Sequence, residues 1–384
     1  MNILVVCHYG MYKRPESSFI HAQAREYVKM GQRVRVIIPV ALGKSAWNQG
    51  KWKAKPEIVD GVELFPVRYI SLSRFGKKHF NSASAIWMIN AHKRQLLADF
   101  VPDVIHAHTI GFDNDIGAWL KKETLAPLVV TTHGSDTFVP NLKGELGRFK
   151  SSCDQADRLV AVSSLLQRTL EKSGTVTPIL VILNGFQCEN AVDRGEKKPL
   201  SFLQAGSLIP RKCVDITLHS FADIYRSDAK ATLTIVGEGP EREKLEELAQ
   251  QLGIQKAVRF LGQIPNRQLL CEMAAHQFFV MPSVREGFGI VYLEAMASSC
   301  ITIGVQGEGI SDFICHGKNG FLVPPYQPEA ITGVVTWCRC HPEQATAIAQ
   351  QGYRDACKMT WNENAGQYLK LFKELLKHGN TNAK

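Results

Sequence analysis

Four strings of the sequence hold residues able to do chemistry. The longest is Pro282-Ser283-Val284-Arg285-Glu286-Gly287-Phe288-Gly289-Ile290-Val291-Tyr292-Leu293-Glu294-Ala295-Met296. It follows the strand-like Gln277-Phe278-Phe279-Val280-Met281, and helical spacing begins near Gly289. Glu286 and Gly287 therefore sit on a loop at a strand end, while Gly289 and Ile290 open a helix. Amides at a helix start lack intrahelical partners and, with the helix dipole, attract an anion such as a diphosphate. Gly287 and Gly289, on either side of Phe288, have no Cβ and let that backbone approach a ligand. Glu294, one to two turns into the helix, can accept from vicinal hydroxyls of a ribose, and Glu286 from sugar hydroxyls. A loop acid and an exposed helical acid are common neighbours; the complete string is far more specific.

The second string, Gln204-Ala205-Gly206-Ser207-Leu208-Ile209-Pro210-Arg211-Lys212-Cys213-Val214-Asp215, follows another apolar run. Gly206 permits a tight turn. Arg211 and Lys212 bring a guanidinium fork and an ammonium just before the next helix, a pair able to neutralise a leaving diphosphate. A solvated helix start is the ordinary alternative. The third string, Leu233-Thr234-Ile235-Val236-Gly237-Glu238-Gly239-Pro240, superficially resembles a dinucleotide fingerprint. The third glycine is missing and Pro240, suited to a first helical turn, intrudes, so Gly237 reads as a turn lining a nucleotide pocket. The fourth string is Val130-Thr131-Thr132-His133-Gly134-Ser135-Asp136. His133 ends a buried strand, where a neutral imidazole can hydrogen-bond a sugar hydroxyl. His106 and His108 end the preceding strand and face the same crevice.

The elements that place these strings alternate. Short β-branched runs, each followed by an amphipathic stretch of helical length, argue for βαβ units and parallel sheets. Strands are expected at 2–7, 33–38, 62–67, 103–107, 128–132, 158–162 and 179–183, then at 200–205, 232–236, 258–261, 277–281, 301–305 and 321–323. The fold expected is α/β, two doubly wound Rossmann-like domains facing across a cleft. They span 1–188, joined by a C-terminal helical stretch 361–384, and 199–360, with the polar stretch 189–198 as linker. Ser17 or Ser18 can cap the first helix, and Gly31 follows its last residue, Met30.

Composition narrows the class. At 384 residues, with 45% hydrophobic and 21% charged, the chain has room for two soluble domains. Met1-Asn2-Ile3-Leu4-Val5-Val6-Cys7 lacks a basic flank and a cleavage site and reads as a buried strand, so the expected location is the cytosol. The ten cysteines are scattered, and most should be free thiols. The cluster Cys338-Arg339-Cys340-His341 has no partner cluster of metal spacing and reads as a helix end. Residues 1–190 hold 24 Lys and Arg against 16 Asp and Glu, the remainder 21 against 20. Within 44–94 the basic residues interleave with Trp47, Trp52, Phe65, Tyr69, Phe75, Phe80 and Trp87. Such a surface can meet nucleic acid, anionic lipid or an acidic substrate, or can simply be solvated.

Together the strings resemble retaining glycosyltransferases of family 4, which have the two-domain GT-B architecture. The likeness runs along essentially the whole chain: His-Gly-Ser-Asp at 133–136, Asn-Gly at 184–185, Arg-Lys at 211–212, Gly-Glu-Gly-Pro at 237–240, and the acid pair Glu286 and Glu294. The resemblance implies a donor-binding C-terminal domain in which Arg211 and Lys212 grip the diphosphate, Glu294 the ribose and Glu286 the transferred sugar. Gly289 and Ile290 would offer backbone amides, with Gly206, Gly237, Gly287 and Phe288 beside them. His133 would contact the donor sugar near its reactive carbon, with His108, Ser17 and Ser18 on the acceptor side. The final stretch from Trp361, helical to about Leu376, would cross back onto the first domain. In the loop Tyr9-Gly10-Met11-Tyr12 one glycine stands where family members often carry a pair, and Cys213 replaces the glycine that usually follows Arg-Lys, a change expected to affect local packing. The run Ser18-Phe19-Ile20-His21-Ala22-Gln23 is similar to members that build bacterial surface polysaccharides.

The expected partners are a nucleotide-sugar donor, a UDP-sugar ahead of GDP-mannose, and a glycan or lipid-linked acceptor. The anionic inner membrane leaflet is a candidate docking surface. No cofactor and no metal are expected, since Asp113-Asn114-Asp115 opens a helix rather than ending a strand, and no nucleic-acid-binding motif stands out. A nucleotide-sugar 2-epimerase of the same architecture is the competing enzyme reading, and a basic nucleic-acid-binding protein the competing reading of another class.

Overall fold

The computed structural model describes residues 1–8, 18–42, 56–71, 78–138, 145–187 and 197–381. The chain divides into two compact units: Met1–Leu183 with Trp361–Lys384, and Asn184–Thr360.

The first unit is built on an eight-stranded sheet of order β3-β4-β2-β1-β5-β6-β7-β8. Its strands are β1 (Asn2–Val6), β2 (Arg33–Ala41), β3 (Glu57–Val59), β4 (Val62–Tyr69), β5 (Val104–His108), β6 (Leu128–Thr132), β7 (Arg158–Ala161) and β8 (Ile179–Val181). All neighbours pair in parallel except β3 with β4. β5 and β6 are buried throughout, as expected of central strands covered on both faces, and they carry His106, His108, Thr131 and Thr132 into the interior. β3 escaped the sequence reading because it is only three residues, Glu57-Ile58-Val59, the first two exposed, turned back onto β4 through Asp60 and Gly61 at positive φ.

The helix Phe19–Lys29 begins at Ser18, whose extended backbone occupies the N-cap position without a side-chain cap bond. It ends where Gly31 takes φ +78°, a conformation nearly free for glycine alone. The C-terminal helix, Trp361–Thr381, is longer than the sequence suggested. It buries Tyr368, Leu369 and Phe372 with Tyr27, Val5, Val36 and Val129 in the first unit's core, each such side chain contributing roughly 1.5–3 kcal/mol. Tyr368 donates to or accepts from Thr131 at 2.9 Å, tying this helix to β6.

The second unit carries a six-stranded sheet of order β11-β10-β9-β12-β13-β14. Its strands are β9 (Lys198–Ala205), β10 (Thr232–Val236), β11 (Val258–Gly262), β12 (His276–Val280), β13 (Ile301–Val305) and β14 (Phe321–Val323). All pair in parallel. Phe202 on β9 and Phe278 on β12 stack with ring centres 4.9 Å apart at the middle of its core. Among the parallel strands, order reverses between β1 and β5 in the first sheet and between β9 and β12 in the second. Open α/β sheets bind ligands at the carboxyl ends of the strands on such a reversal.

Three expectations are corrected. The boundary falls at Leu183 rather than 188, because Phe186 bridges to Thr360 and donates its N–H to the Met359 carbonyl at 2.9 Å. The expected linker loses its last two residues to the second unit: Lys198 opens β9. The Lys197 ammonium donates to the carbonyls of Met273, Ala274 and His276 at 3.0–3.1 Å; residues 189–196 lie outside the described residues. Of the aromatics expected on the basic surface, Phe65 and Tyr69 belong to the core, since both point inward from β4. Trp87 is 67% exposed, while Trp47, Trp52 and Phe75 lie outside the described residues. Cys338 and Cys340 end the helix Pro328–Cys340. Among the described residues no helix is long and apolar enough to cross a membrane.

Candidate functional site

At the β9/β12 reversal the second unit has a cavity of about 530 Å³. Its floor is backbone. β9 ends into Gly206 and β10 into Gly237, and a Cβ on Gly237 would lie 1.9 Å from the carbonyl oxygen of Gly206. Gly239 repeats the relation against Leu208, where a Cβ would fall 2.3 Å from the carbonyl oxygen. The two strand ends thus meet chain on chain, which only glycine allows. The sequence reading of Gly237 as a turn lining the pocket matches this placement. Pro240, by contrast, lies ahead of its helix, Arg242–Gln251, in the preceding turn.

Arg211 and Lys212 line the cavity from a single 3-10 turn, Pro210–Lys212. That turn ends at Cys213, which adopts φ +48° and ψ +46° and begins the helix Val214–Ser227. The glycine usual at this position is therefore explained by backbone conformation, and the expectation that cysteine changes only packing is corrected. The Lys212 stem runs 3.5 Å from where a Cβ on Gly206 would stand, an ordinary contact, so it is the φ of +153° rather than space that favours glycine there. Lys212 makes an ion pair with Glu286, and the Arg211 guanidinium reaches the same carboxylate oxygen at 3.4 Å.

Glu286 comes from the loop after β12. The loop is tied to the cation turn by the Val284 N–H, which donates to the Arg211 carbonyl at 2.9 Å. It ends at Gly289, the N-cap of the helix Ile290–Ala297, with φ +82°; a Cβ there would strike the Tyr292 ring at 2.8 Å. Gly289, Ile290, Val291 and Glu294 all line the cavity. Burial lifts the Glu294 carboxyl above its ordinary pKa, and the Asn266 amide, donating to one oxygen at 2.9 Å, partly offsets this. Glu286, Gly287 and Phe288 belong to the loop but not to the lining; Glu286 reaches the site through its pairing with Arg211 and Lys212. Phe288 is 1% exposed and anchors the loop in the core, so it offers a ligand no side-chain surface. Sequence reasoning missed Asn266, whose only local signal is the Pro265-Asn266 helix start.

The remaining expected residues lie in the first unit. His133 ends β6, and its backbone N–H and that of Gly134 donate to one Asp136 oxygen at 3.1 and 3.0 Å. Its Nε2 meets His108 Nδ1 at 3.1 Å, the rings stacked 5.4 Å apart. Burial lowers the pKa of His106 to about 3 and of His133 to about 4, and holds His108 well below the imidazole range, so all three are neutral. His108 is 2% exposed. It supports His133 through the contact of their ring nitrogens. Ser18 serves the helix start, and Ser17 lies outside the described residues, as does the loop 9–17.

A pair that the sequence did not reveal closes this face. His8, just after β1, meets the buried Asp113 through Nδ1 at 2.7 Å, and Thr109 donates to the other Asp113 oxygen at 2.9 Å. Burial raises the Asp113 pKa to about 6 against the pull of His8. As expected, Asp113 and Asp115 stand in the first turn of a helix, Phe112–Thr124.

A family model described as glycosyltransferase family 4 matches residues 17–190, and one described as glycosyl transferases group 1 matches residues 189–355. The chain is 27% identical over 347 residues to a putative teichuronic acid biosynthesis glycosyltransferase, TuaC, of Bacillus subtilis, covering 84% of this chain and 85% of that protein. Among solved structures it is similar to sucrose-phosphate synthase from Thermosynechococcus elongatus, with TM-score 0.81 and 17% identity over 98% of this chain and 100% of that one. It is also similar to HepE of Anabaena, solved in complex with UDP-glucose, with TM-score 0.73 and 19% identity over 96% and 99%. At such identities the two structures speak to the fold.

Proposed function

Since the chain belongs to the family 4-type GT-B glycosyltransferases, we propose that it moves a sugar from a nucleotide-sugar donor to a glycan or lipid-linked acceptor with retention of anomeric configuration. The observation that carries the donor reading is the cavity at the β9/β12 reversal, where Arg211, Lys212, a helix start and the half-buried Glu294 converge. Two cations and a helix N-terminus suit a diphosphate. Glu294, one oxygen held by Asn266, suits the ribose hydroxyls, and Glu286 the transferred sugar.

In the reaction the bond between the anomeric carbon and the diphosphate breaks, and its electron pair stays on the leaving oxygen. The acceptor oxygen bonds to the same face of that carbon and passes its proton to the departing phosphate. Arg211, Lys212 and the helix-start amides stabilise the charge that develops, with no metal required for it. A UDP-sugar is the favoured donor over GDP-mannose. The TuaC likeness supports a role in surface polysaccharide synthesis, and the basic first unit with exposed Trp87 supports docking on an anionic inner membrane leaflet from the cytosol.

The test is to incubate the protein with a panel of UDP-sugars and GDP-mannose and a lipid-linked acceptor, with and without a chelator. The anomeric configuration of the product is then read by proton NMR. Retained configuration, insensitive to chelator, is expected. Inverted product, or epimerised donor in the absence of acceptor, would contradict the reading.

A further inference from the structure

The loop that carries Glu286 is held from behind by a residue outside the cavity. Glu308 stands just before the 3-10 turn Gly309–Asp312. Its carboxylate accepts the backbone N–H of Glu286 at 2.8 Å and also bonds the backbone N–H of Arg285. Gly309 completes the hold. Its N–H donates to the Glu286 carbonyl at 3.2 Å, and a Cβ on it would lie 2.0 Å from the Gly287 carbonyl oxygen. The clamped segment is not relaxed: Arg285 has φ +54°, a conformation disfavoured for any residue with a Cβ. Such conformations persist only where the surroundings over-determine them.

Plain bracing of a loop does not account for the choice of residue. An acid beside Glu286 repels it, and a neutral side chain could accept the same amides without that cost. A carboxylate accepts two N–H groups at once and more strongly than a neutral acceptor, and, against the burial that raises the Glu308 pKa, these two amides pull it down. Glu286 is thereby fixed at both ends, its carboxylate by Arg211 and Lys212 and its backbone by Glu308 and Gly309.

We propose that Glu308 is a positioning residue for sugar transfer: it sets the Glu286 loop so that the Glu286 carboxylate meets the transferred sugar, without itself touching a reacting atom. The proposal rests on the assignment of Glu286 to the sugar. It separates Glu308 from nucleotide binding, because Arg211, Lys212 and Glu294 make no contact with its carboxylate.

The test compares the wild-type chain with Glu308→Gln and Glu308→Ala. Hydrogen exchange is followed on a peptide spanning 283–289, UDP affinity by calorimetry, and turnover with the best nucleotide-sugar donor. Glu308→Ala should speed exchange at Arg285 and Glu286 about tenfold or more and lower kcat by about tenfold. UDP affinity should stay within about twofold of wild type. Glu308→Gln, which keeps one acceptor oxygen, should fall between. Unchanged exchange overturns the clamp, and faster exchange with wild-type kcat overturns the positioning role. Equal losses of UDP affinity and kcat also overturn it, since Glu308 would then brace the whole cavity. If the wild type turns over no nucleotide sugar, the transferase reading fails, and the exchange result alone supports or overturns the clamp.

Discussion

The ammonium of Lys212 and the carboxylate of Glu286 form an ion pair between two loops 74 residues apart in sequence, and Arg211 shares the same oxygen. The cations assigned to the diphosphate are thus partly engaged before any donor arrives. On the proposed reading a diphosphate must share or replace this pairing, so Glu286 would compete with the nucleotide while serving the sugar.

Glu286→Gln separates the two effects. Free UDP should bind the variant as tightly as wild type or up to about tenfold more tightly, because a competing charge is gone. Sugar turnover should fall by about 100-fold or more. Calorimetry with UDP and a turnover assay on one preparation check both; UDP binding weakened in step with turnover would contradict the assignment.

Glu294 and Asn266 should control the ribose alone. Glu294→Ala should weaken UDP by about tenfold or more, through loss of a charged hydrogen-bond acceptor. Pyrophosphate competes at Arg211 and Lys212, so its affinity should not change. Competition of each against a fluorescent nucleotide distinguishes the outcomes, and equal loss for both ligands would count against the ribose role.

Cys213 supplies a test of backbone strain. At φ +48° a Cβ is penalised, so Cys213→Gly should be more stable than Cys213→Ala by about 1 kcal/mol. That order reverses the usual advantage of alanine over glycine in regular structure. Comparing the two variants with each other cancels the loss of the buried thiol. Thermal or denaturant melts give the answer, and alanine being the more stable would contradict the strain.

The buried imidazoles make the first unit sensitive to acid. His106, with a folded pKa of about 3 against 6.5 in the open chain, takes up fewer protons when folded. The unfolded chain is therefore favoured as pH falls below 6.5, by up to about 1.4 kcal/mol per pH unit for each such group. His133 and His108 act in the same sense. Melting temperature should drop steadily through that window, and His106→Gln should flatten the slope relative to wild type. An unchanged slope would mean His106 titrates normally in the fold.

The sequence reached the cavity of the second unit more fully than the histidine cluster of the first. Gly206, Arg211, Lys212, Gly237, Gly289, Ile290 and Glu294 converge because each stands within a few residues of a strand end, and parallel sheets gather such ends at one edge. The length of β12 and the start of the helix Ile290–Ala297 were legible from apolar periodicity. Asn266, Glu308 and the His8–Asp113 pair were not, since each meets its partner across a long separation in sequence and sits in no local pattern. Phe288 was misplaced for a related reason. Hydrophobicity shows that a loop residue can be buried, but not whether it faces a ligand or the core. The burial of His108 was not legible either, because strand alternation gives the face of a side chain and says nothing of what covers it.

The most direct measurement is calorimetric titration of UDP, UMP and uridine into the wild-type protein and Arg211→Ala/Lys212→Ala. Wild type should prefer UDP to uridine by about 100-fold or more, and the double variant, folded with an unchanged melting profile, should lose most of that preference while binding uridine as before. A double variant that keeps the wild-type preference for UDP would place the diphosphate elsewhere and contradict the account.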